Sequence, residues 1–327
     1  MRIAVIGAGA MGCLYGGLLA RSGKDVVLVD LWAEHIQAIR DQGLRLGGIS
    51  GDLMIPVAAT VDPEPESADV AIILTDTNAT REAARTAART LTAEGWAITL
   101  QNGIGNLEAM AEALGAERVV GGLSYHSAAV EGPGRTLHTH AGPTWLGELD
   151  GRRSARVEAF AEALSDAGFQ PQIVDDIEAH IWTKFIHNAA INPISALLNL
   201  RVGEISLNPE ADALQSRIIA EALAVVRARG ITLTDADPMA SIKAFCKTKF
   251  NAPSMLQHLE AGKRTEVDSL NGAVAAHGQA LGVPTPYNEA LAWMVKGMER
   301  QRRRLREHGP FDYAALEAEA IAREQAS

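Results

Sequence analysis

Cysteine is nearly absent. Cys13 and Cys246 are the only two in 327 residues, and with no second pair they exclude a disulfide framework and a cysteine-rich metal centre. A reducing, cytoplasmic setting is expected. A basic surplus is missing too: 30 Lys and Arg face 40 Asp and Glu, for a net charge of −10. Without that surplus the chain has little to replace condensed counterions, so neither nucleic acid nor an anionic membrane is expected as a partner. There is no internal repeat and no low-complexity tract. One long stretch, Ile3 to Ala20, carries no charge, a length that would satisfy a membrane span or a signal-peptide core. Five glycines, at positions 7, 9, 12, 16 and 17, argue against a span. The run has no basic residue before it beyond Arg2, and a nucleotide-binding turn accounts for its glycines better.

At this length two cores are expected rather than one. The first half alternates short apolar runs with helical stretches, the pattern of a parallel sheet covered on both faces. Strands are predicted at Arg2–Ile6 and Asp25–Asp30, then near Asp69–Leu74, Ala97–Gln101 and Val119–Gly121. Helices are predicted at Met11–Ser22 and, rich in alanine, at Arg81–Leu91. The text TLHTHAGPTWL, running to Leu146, predicts a hairpin about Gly142-Pro143. From Ile177 the periodicity is helical almost throughout, with stops at Gly230, Pro238, Pro253 and Pro284-Thr285-Pro286. The expected fold is an α/β Rossmann domain with a doubly wound parallel sheet over residues 1–176, followed by an all-α substrate and catalytic domain over 177–327. The basic run Arg300-Gln301-Arg302-Arg303-Arg304 reads as the solvated end of a helix, where cations complement the dipole.

Gly7-Ala8-Gly9-Ala10-Met11-Gly12 follows a strand and opens a helix, the context in which this motif is informative. Gly7 permits the tight turn, Gly9 the approach of a pyrophosphate, and Gly12 close packing of helix on strand. The helix start then offers unpaired N–H groups and a positive dipole end. Asp30 ends the second strand, where a carboxylate can bond a ribose. A dinucleotide site does not specify a reaction. For that the second half matters. In WTKFIHNAAINPISALLN, starting at Trp182, Lys184, Asn188 and Asn192 share one helix face. Spacing alone leaves a solvent-facing stripe and a partly buried polar site as equal readings; a buried lysine would have its charged form disfavoured, as a proton donor near neutrality requires. In PSMLQHLEAGKRTEVDSLNG, starting at Pro253, Ser254 can donate to a carboxylate. Glu266 begins a helix whose core face is Val267, Leu270 and Val274.

These segments, with Gln101-Asn102-Gly103, resemble the ketopantoate reductases, also called 2-dehydropantoate 2-reductases, over nearly the whole chain. The resemblance implies that Lys184 is the general acid and that Glu266 helps hold the substrate oxygen and the lysine. It implies that Asn102, Asn188, Asn192 and Ser254 line the cleft for nicotinamide and substrate. Gly7, Ala8, Gly9, Ala10, Met11, Gly12, Asp30 and Asn102 are then the cofactor-binding positions. Three positions depart from the family pattern. Asp76 stands where a lysine is frequent, Val202 precedes Gly203-Glu204 where an asparagine is common, and Leu31 follows Asp30 where an arginine usually meets the 2′-phosphate of NADP.

The expectation is therefore an oxidoreductase moving a hydride between a nicotinamide, NAD favoured over NADP, and a small 2-oxo or 2-hydroxy acid other than ketopantoate. Two other readings stand beside it: 2-dehydropantoate 2-reductase itself, and a non-catalytic dinucleotide sensor, against which Lys184 and Glu266 speak. A homodimer through apolar helix faces is expected. His138 and His140 share one side of a strand but lack a third ligand, so no metal is expected. Tyr125 and His126 follow a strand on the side where ligands gather. His180 and His187 read as helix surface or interdomain packing.

Overall fold

Side chains alternate across a strand, and in β1 (Arg2–Ile6) Ile3 and Val5 enter one core while Ala4 and Ile6 enter another. A strand buried on both faces must be central in its sheet. The computed structural model, which describes residues 1–325, places it there. After β1 come α1 (Ala10–Arg21), β2 (Asp25–Val29), α2 (Ala33–Gln42), β3 (Leu44–Gly48), β4 (Leu53–Ile55), β5 (Ala58–Thr60) and β6 (Ala68–Ile73). The α/β part continues with α3 (Thr80–Thr90), β7 (Leu91–Thr99), α4 (Asn106–Leu114), β8 (Val119–Ser124), β9 (Ser127–Gly132), β10 (Arg135–His140), β11 (Thr144–Glu148), α5 (Ala155–Asp166) and β12 (Pro171–Ile173).

Eight strands form the main sheet in the order β12-β11-β8-β7-β6-β1-β2-β5. Its pairs are parallel except β8 with β11. The strand order reverses at β1, and such a switch point is where open α/β sheets bind ligands. Ala83, Ala84 and Ala87 of α3 pack on one face. On the other, α1 lies between the main sheet and a second sheet of order β4-β3-β10-β9. Gly16 and Gly17 serve this packing: a Cβ at Gly16 would strike Leu28 of β2, and one at Gly17 would come within 2.7 Å of Leu44 of β3. Two of the five glycines thus belong to the core rather than to the nucleotide turn.

The hairpin expected about Gly142-Pro143 does not form. β10 pairs with β9 and β3, whereas β11 pairs with β8 and β12, so this turn carries the chain from one sheet to the other. The hairpin is β9–β10, through Gly132-Pro133-Gly134, with Gly134 at φ +69°. Among the strands, β3, β4, β5, β9 and β12 are short or lack an apolar signature and were not foreseen.

Beyond β12 the described chain is helical: α6 (Ile177–Leu198), α7 (Val202–Leu207), α8 (Pro209–Arg229), α9 (Pro238–Thr248), α10 (Ser254–Glu260), α11 (Asn271–Leu281), α12 (Pro286–His308) and α13 (Tyr313–Gln325). None of these described helices is long and apolar enough to cross a membrane. Gly230 stops α8 as expected, but Pro238 and Pro286 are first residues of helices, where the missing N–H costs nothing. Glu266 does not begin a helix; it precedes the single 3₁₀ turn Val267–Ser269, and α11 starts only at Asn271. Val267, Leu270 and Val274 are nonetheless buried together as the pattern requires.

The chain divides into two compact units, the first of Met1–Asn188 with Ala222–Ser241, the second of Ala189–Glu221 with Ile242 onward. Within the second, Pro193 lies inside α6 and has no N–H, so the carbonyl of Ala189 loses its helical donor. Asn271 Nδ2 supplies the replacement at 3.0 Å, and its own position is held by a 2.9 Å bond to Asn288 Oδ1. Glu221 in turn accepts from the backbone and side chain of Asn288. Two distant motifs, INP and LNG, are thus halves of one hydrogen bond.

Candidate active site

Gly7 follows β1 at φ +98°, a conformation that side chains rarely adopt, and a Cβ there would meet Thr75 N at 2.5 Å. A Cβ at Gly12 would collide with the Gly7 carbonyl. Gly9 differs, because a Cβ there meets nothing within 4 Å. The motif thus has two glycines demanded by the fold and one that faces open space. Gly9 is also the N-cap of α1, with no side-chain hydrogen bond and no acidic residue in the first turn. The leading N–H groups and the positive dipole end are therefore left for an outside acceptor, an arrangement that fits a pyrophosphate.

The loops after β6 and β7 close in on this turn. Gln101 Nε2 donates to Thr75 O at 2.8 Å and to Thr80 Oγ1 at 3.0 Å, while Gln101 Oε1 accepts from Thr99. This clamp was missed because a lone Gln after a strand has no spacing signature. Asn102 follows it, its carbonyl accepting from Asn106 Nδ2 at 3.0 Å. Asp76, exposed, spends Oδ1 on the backbone and side-chain N–H groups of Asn78 and so caps a short turn. Asp30 follows β2 and accepts from Trp32 N at 3.0 Å. Leu31 beside it is 87% exposed. Arg40, the nearest downstream cation, is held by the carbonyl of Ala59.

Lys184 lies on α6 within the first unit. Its Nζ donates to the carbonyl oxygen of Ser124, the last residue of β8, and stands 4.9 Å from the ring centroid of Tyr125. Because β8 runs parallel to β7, β6 and β1, its carboxyl end lies on the same edge of the sheet as the glycine turn and Asn102. The ammonium is thus anchored at the edge where the other groups converge. The Ser124 hydroxyl is fixed from below: Tyr15 of α1 donates to it at 2.8 Å, and His126 N donates at 3.1 Å. His126 Nδ1 lies 3.1 Å from His138 Nε2, which also meets the carbonyl of His140 at 2.9 Å. A carbonyl only accepts, so neutral His138 carries its proton on Nε2 and takes the Ser50 hydroxyl at Nδ1. Burial, then the neighbouring His138 and His140, push His126 down to about 4, so near neutrality it is an uncharged support. His180 packs edge-on to Trp145 at 4.2 Å.

In the second unit Asn192 is buried and its Nδ2 lies 3.5 Å from Ser254 Oγ, the first residue of α10. Two of the expected substrate residues therefore meet. Asn188 is half-buried on α6, and Glu266 is half-buried before the 3₁₀ turn. Val202 is buried at the start of α7, its N–H given to Asn251 O at 3.2 Å.

With this geometry in place, sequence comparison decides the family. Residues 3–151 match the family model described as ketopantoate reductase PanE/ApbA, and residues 176–299 match its C-terminal counterpart. The chain belongs to the ketopantoate reductase family. The 2-dehydropantoate 2-reductase of Archaeoglobus fulgidus is 35% identical over 298 residues, which span 91% of this chain and 98% of that protein. The crystal structure of a PanE/ApbA family ketopantoate reductase from Ralstonia eutropha superposes with a TM-score of 0.86 at 32% identity, covering 93% of this chain and all (100%) of that one. A ternary structure of D-mandelate dehydrogenase with NADH and anilino(oxo)acetate superposes with a TM-score of 0.83 at 27% identity, over 92% and 99% of the two chains. The solved structures that this chain resembles thus bear two different activity names.

Proposed function

We propose that the protein is an NAD(H)-preferring oxidoreductase that interconverts a 2-oxo acid and its 2-hydroxy acid, with a substrate side chain other than that of ketopantoate. The observation that carries it is the Lys184 ammonium anchored on the Ser124 carbonyl, at the sheet edge that also bears the uncapped glycine turn. Gly7 to Gly12 would hold the dinucleotide pyrophosphate, Asp30 its ribose, and Asn102 the nicotinamide end. Bound nicotinamide supplies the hydride chemistry. The chain supplies the proton and the orientation: Lys184 gives a proton to the carbonyl oxygen as negative charge develops there, and Glu266 acts with it on that oxygen. Asn188, Asn192 and Ser254, all neutral, orient the acid and its carboxylate without placing a competing charge beside the ammonium.

Support for a different side chain comes from Val202, whose apolar buried side chain offers no hydrogen bond to a hydroxylated substrate. The mandelate dehydrogenase neighbour shows that a protein of this shape can carry another 2-hydroxy acid activity with NADH. The curated relative named 2-dehydropantoate 2-reductase favours ketopantoate as the second reading. Steady-state kinetics with ketopantoate, 2-oxoisovalerate, pyruvate and phenylglyoxylate, each with NADH and NADPH, separate the two. The expected outcome is a higher kcat/KM for an acid lacking the hydroxymethyl group. A clear preference for ketopantoate establishes the second reading, and NADH binding without turnover of any 2-oxo acid makes the protein a sensor.

A further inference from the structure

We infer that the second unit carries a separate binding site for a small molecule with two or more phosphate groups, in the hollow between the turn after α10 and the last turns of α12. The hollow measures about 250 Å³, and its rim carries Lys263, Arg264, Arg302, Arg303 and Arg306 against a single carboxylate, Glu299. Five cations around one concavity are unexpected in a chain whose net charge is −10. The helix dipole does not account for them. Its pull is confined to the last turn of a helix, which contains Arg306, whereas Arg302 and Arg303 precede that turn and Lys263 and Arg264 belong to another segment.

The arrangement is held in place by bonds that leave its charge largely unspent. Arg306 Nη2 donates to the carbonyl of Gly262 at 2.9 Å, and Gly262, at φ +71°, lies so close that a Cβ would strike the guanidinium. Glu299 is occupied by the backbone N–H of Thr265 at 2.6 Å, so it orders the turn. Only Arg264 is drawn away, to Asp268 at 2.9 Å. Among the described residues no carboxylate forms an ion pair with Lys263, Arg302 or Arg303. A monoanion would leave most of this field uncompensated; adjacent phosphates, each able to take a forked pair of guanidinium N–H groups, match both its charge and its spread.

The test titrates the full chain with inorganic tripolyphosphate, with inorganic phosphate and with a short single-stranded oligonucleotide by calorimetry at physiological ionic strength. Wild type, the double variant Arg302→Ala/Arg303→Ala and the turn variant Gly9→Val are compared. The expected result is one tripolyphosphate site, at least tenfold tighter than phosphate, that survives in Gly9→Val and weakens at least tenfold in the arginine variant while its Tm holds. Affinity lost in Gly9→Val but kept in the arginine variant assigns the binding to the nucleotide turn and overturns the inference. Equal, weak binding of both anions overturns it as well, as does binding of a single-stranded oligonucleotide without tripolyphosphate.

Discussion

The turn after β1 and the break in α6 each leave backbone polar groups without a helical partner, and the chain treats them in opposite ways. At the start of α1 the N–H groups receive no side-chain cap, as in α2, α3 and α4 of the same unit, but α1 alone starts directly after β1, where the strand order of the main sheet reverses. At Pro193 the orphaned Ala189 carbonyl is met by the side chain of a buried asparagine from a segment more than 80 residues away. An unmet backbone group at the switch point of the sheet, beside open space, suits a ligand. One that is met marks architecture. This contrast predicts that damage in the first place costs binding, that damage in the second costs stability, and that neither matches the loss of the proposed proton donor.

The largest effect belongs to Lys184. Lys184→Ala removes the group anchored on Ser124 and is expected to lower kcat by about a hundredfold or more, the usual scale for a lost general acid, with cofactor affinity and Tm little changed. Stopped kinetics and a melting curve on the same preparation check it. Near-normal turnover removes Lys184 from the chemistry, whereas a collapse in Tm would make it architectural and break the contrast.

Within the glycine turn the two roles can be split. Gly12→Val forces a side chain into the Gly7 carbonyl and is expected to cost about 1–3 kcal/mol or more of stability, as overpacking does. Gly9→Val projects into open space, so Tm should hold while NADH affinity falls by about tenfold or more, close to 1.4 kcal/mol. Equal loss of stability in both variants would mean that Gly9 is packed rather than presented.

Much of the first unit was legible in the sequence because its signals are local. The glycines of the turn follow a strand and precede a helix, and Ile3 to Ile6 alternate between two cores, so motif and burial agree. The second sheet was not legible, since β3 and β4 are short and β10 takes one of its two partners, β3, from far back in the chain. Gly142-Pro143 looked like a hairpin for the same reason: turn chemistry is local, but which strand a residue meets afterwards is not. In the helical half, spacing placed Lys184, Asn188 and Asn192 on one face but left solvent and site equally good. The bond between Asn271 and Ala189 was invisible, because the need for it arises at Pro193 and its answer lies in another motif.

That bond offers a middle-sized test. Asn271→Ala leaves the Ala189 carbonyl buried and unmet, at a cost of about 1–3 kcal/mol. Pro193→Ala restores an N–H to the helix, so in that background the Asn271→Ala cost should shrink to less than half. Denaturant unfolding of the two single variants and the double variant measures the coupling. Costs that simply add would show that the asparagine is not there to answer the proline.

The smallest effect, and the finest test of what the first unit keeps open, concerns Asp30. One of its oxygens is held by Trp32 N, which orients the carboxylate after β2, at the position where a ribose hydroxyl of NAD can donate to it. A 2′-phosphate would bring a second negative charge to the same place. No cation stands ready to offset it nearby in sequence: Leu31 is exposed and apolar, and Arg40 is committed to the Ala59 carbonyl. His35, stacked on Trp32 at 4.8 Å, has its protonated form disfavoured by burial and brings no charge near neutrality. Wild-type protein should therefore show the higher kcat/KM with NADH. Asp30→Ala should narrow the ratio of NADH to NADPH by about tenfold, equivalent to roughly 1.4 kcal/mol of charge repulsion removed. The gain on NADPH should fade as salt rises, because repulsion at an open edge is screened. A wild-type preference for NADPH, or an Asp30→Ala variant whose ratio does not move, would shift the discrimination to residues that Asp30 does not touch.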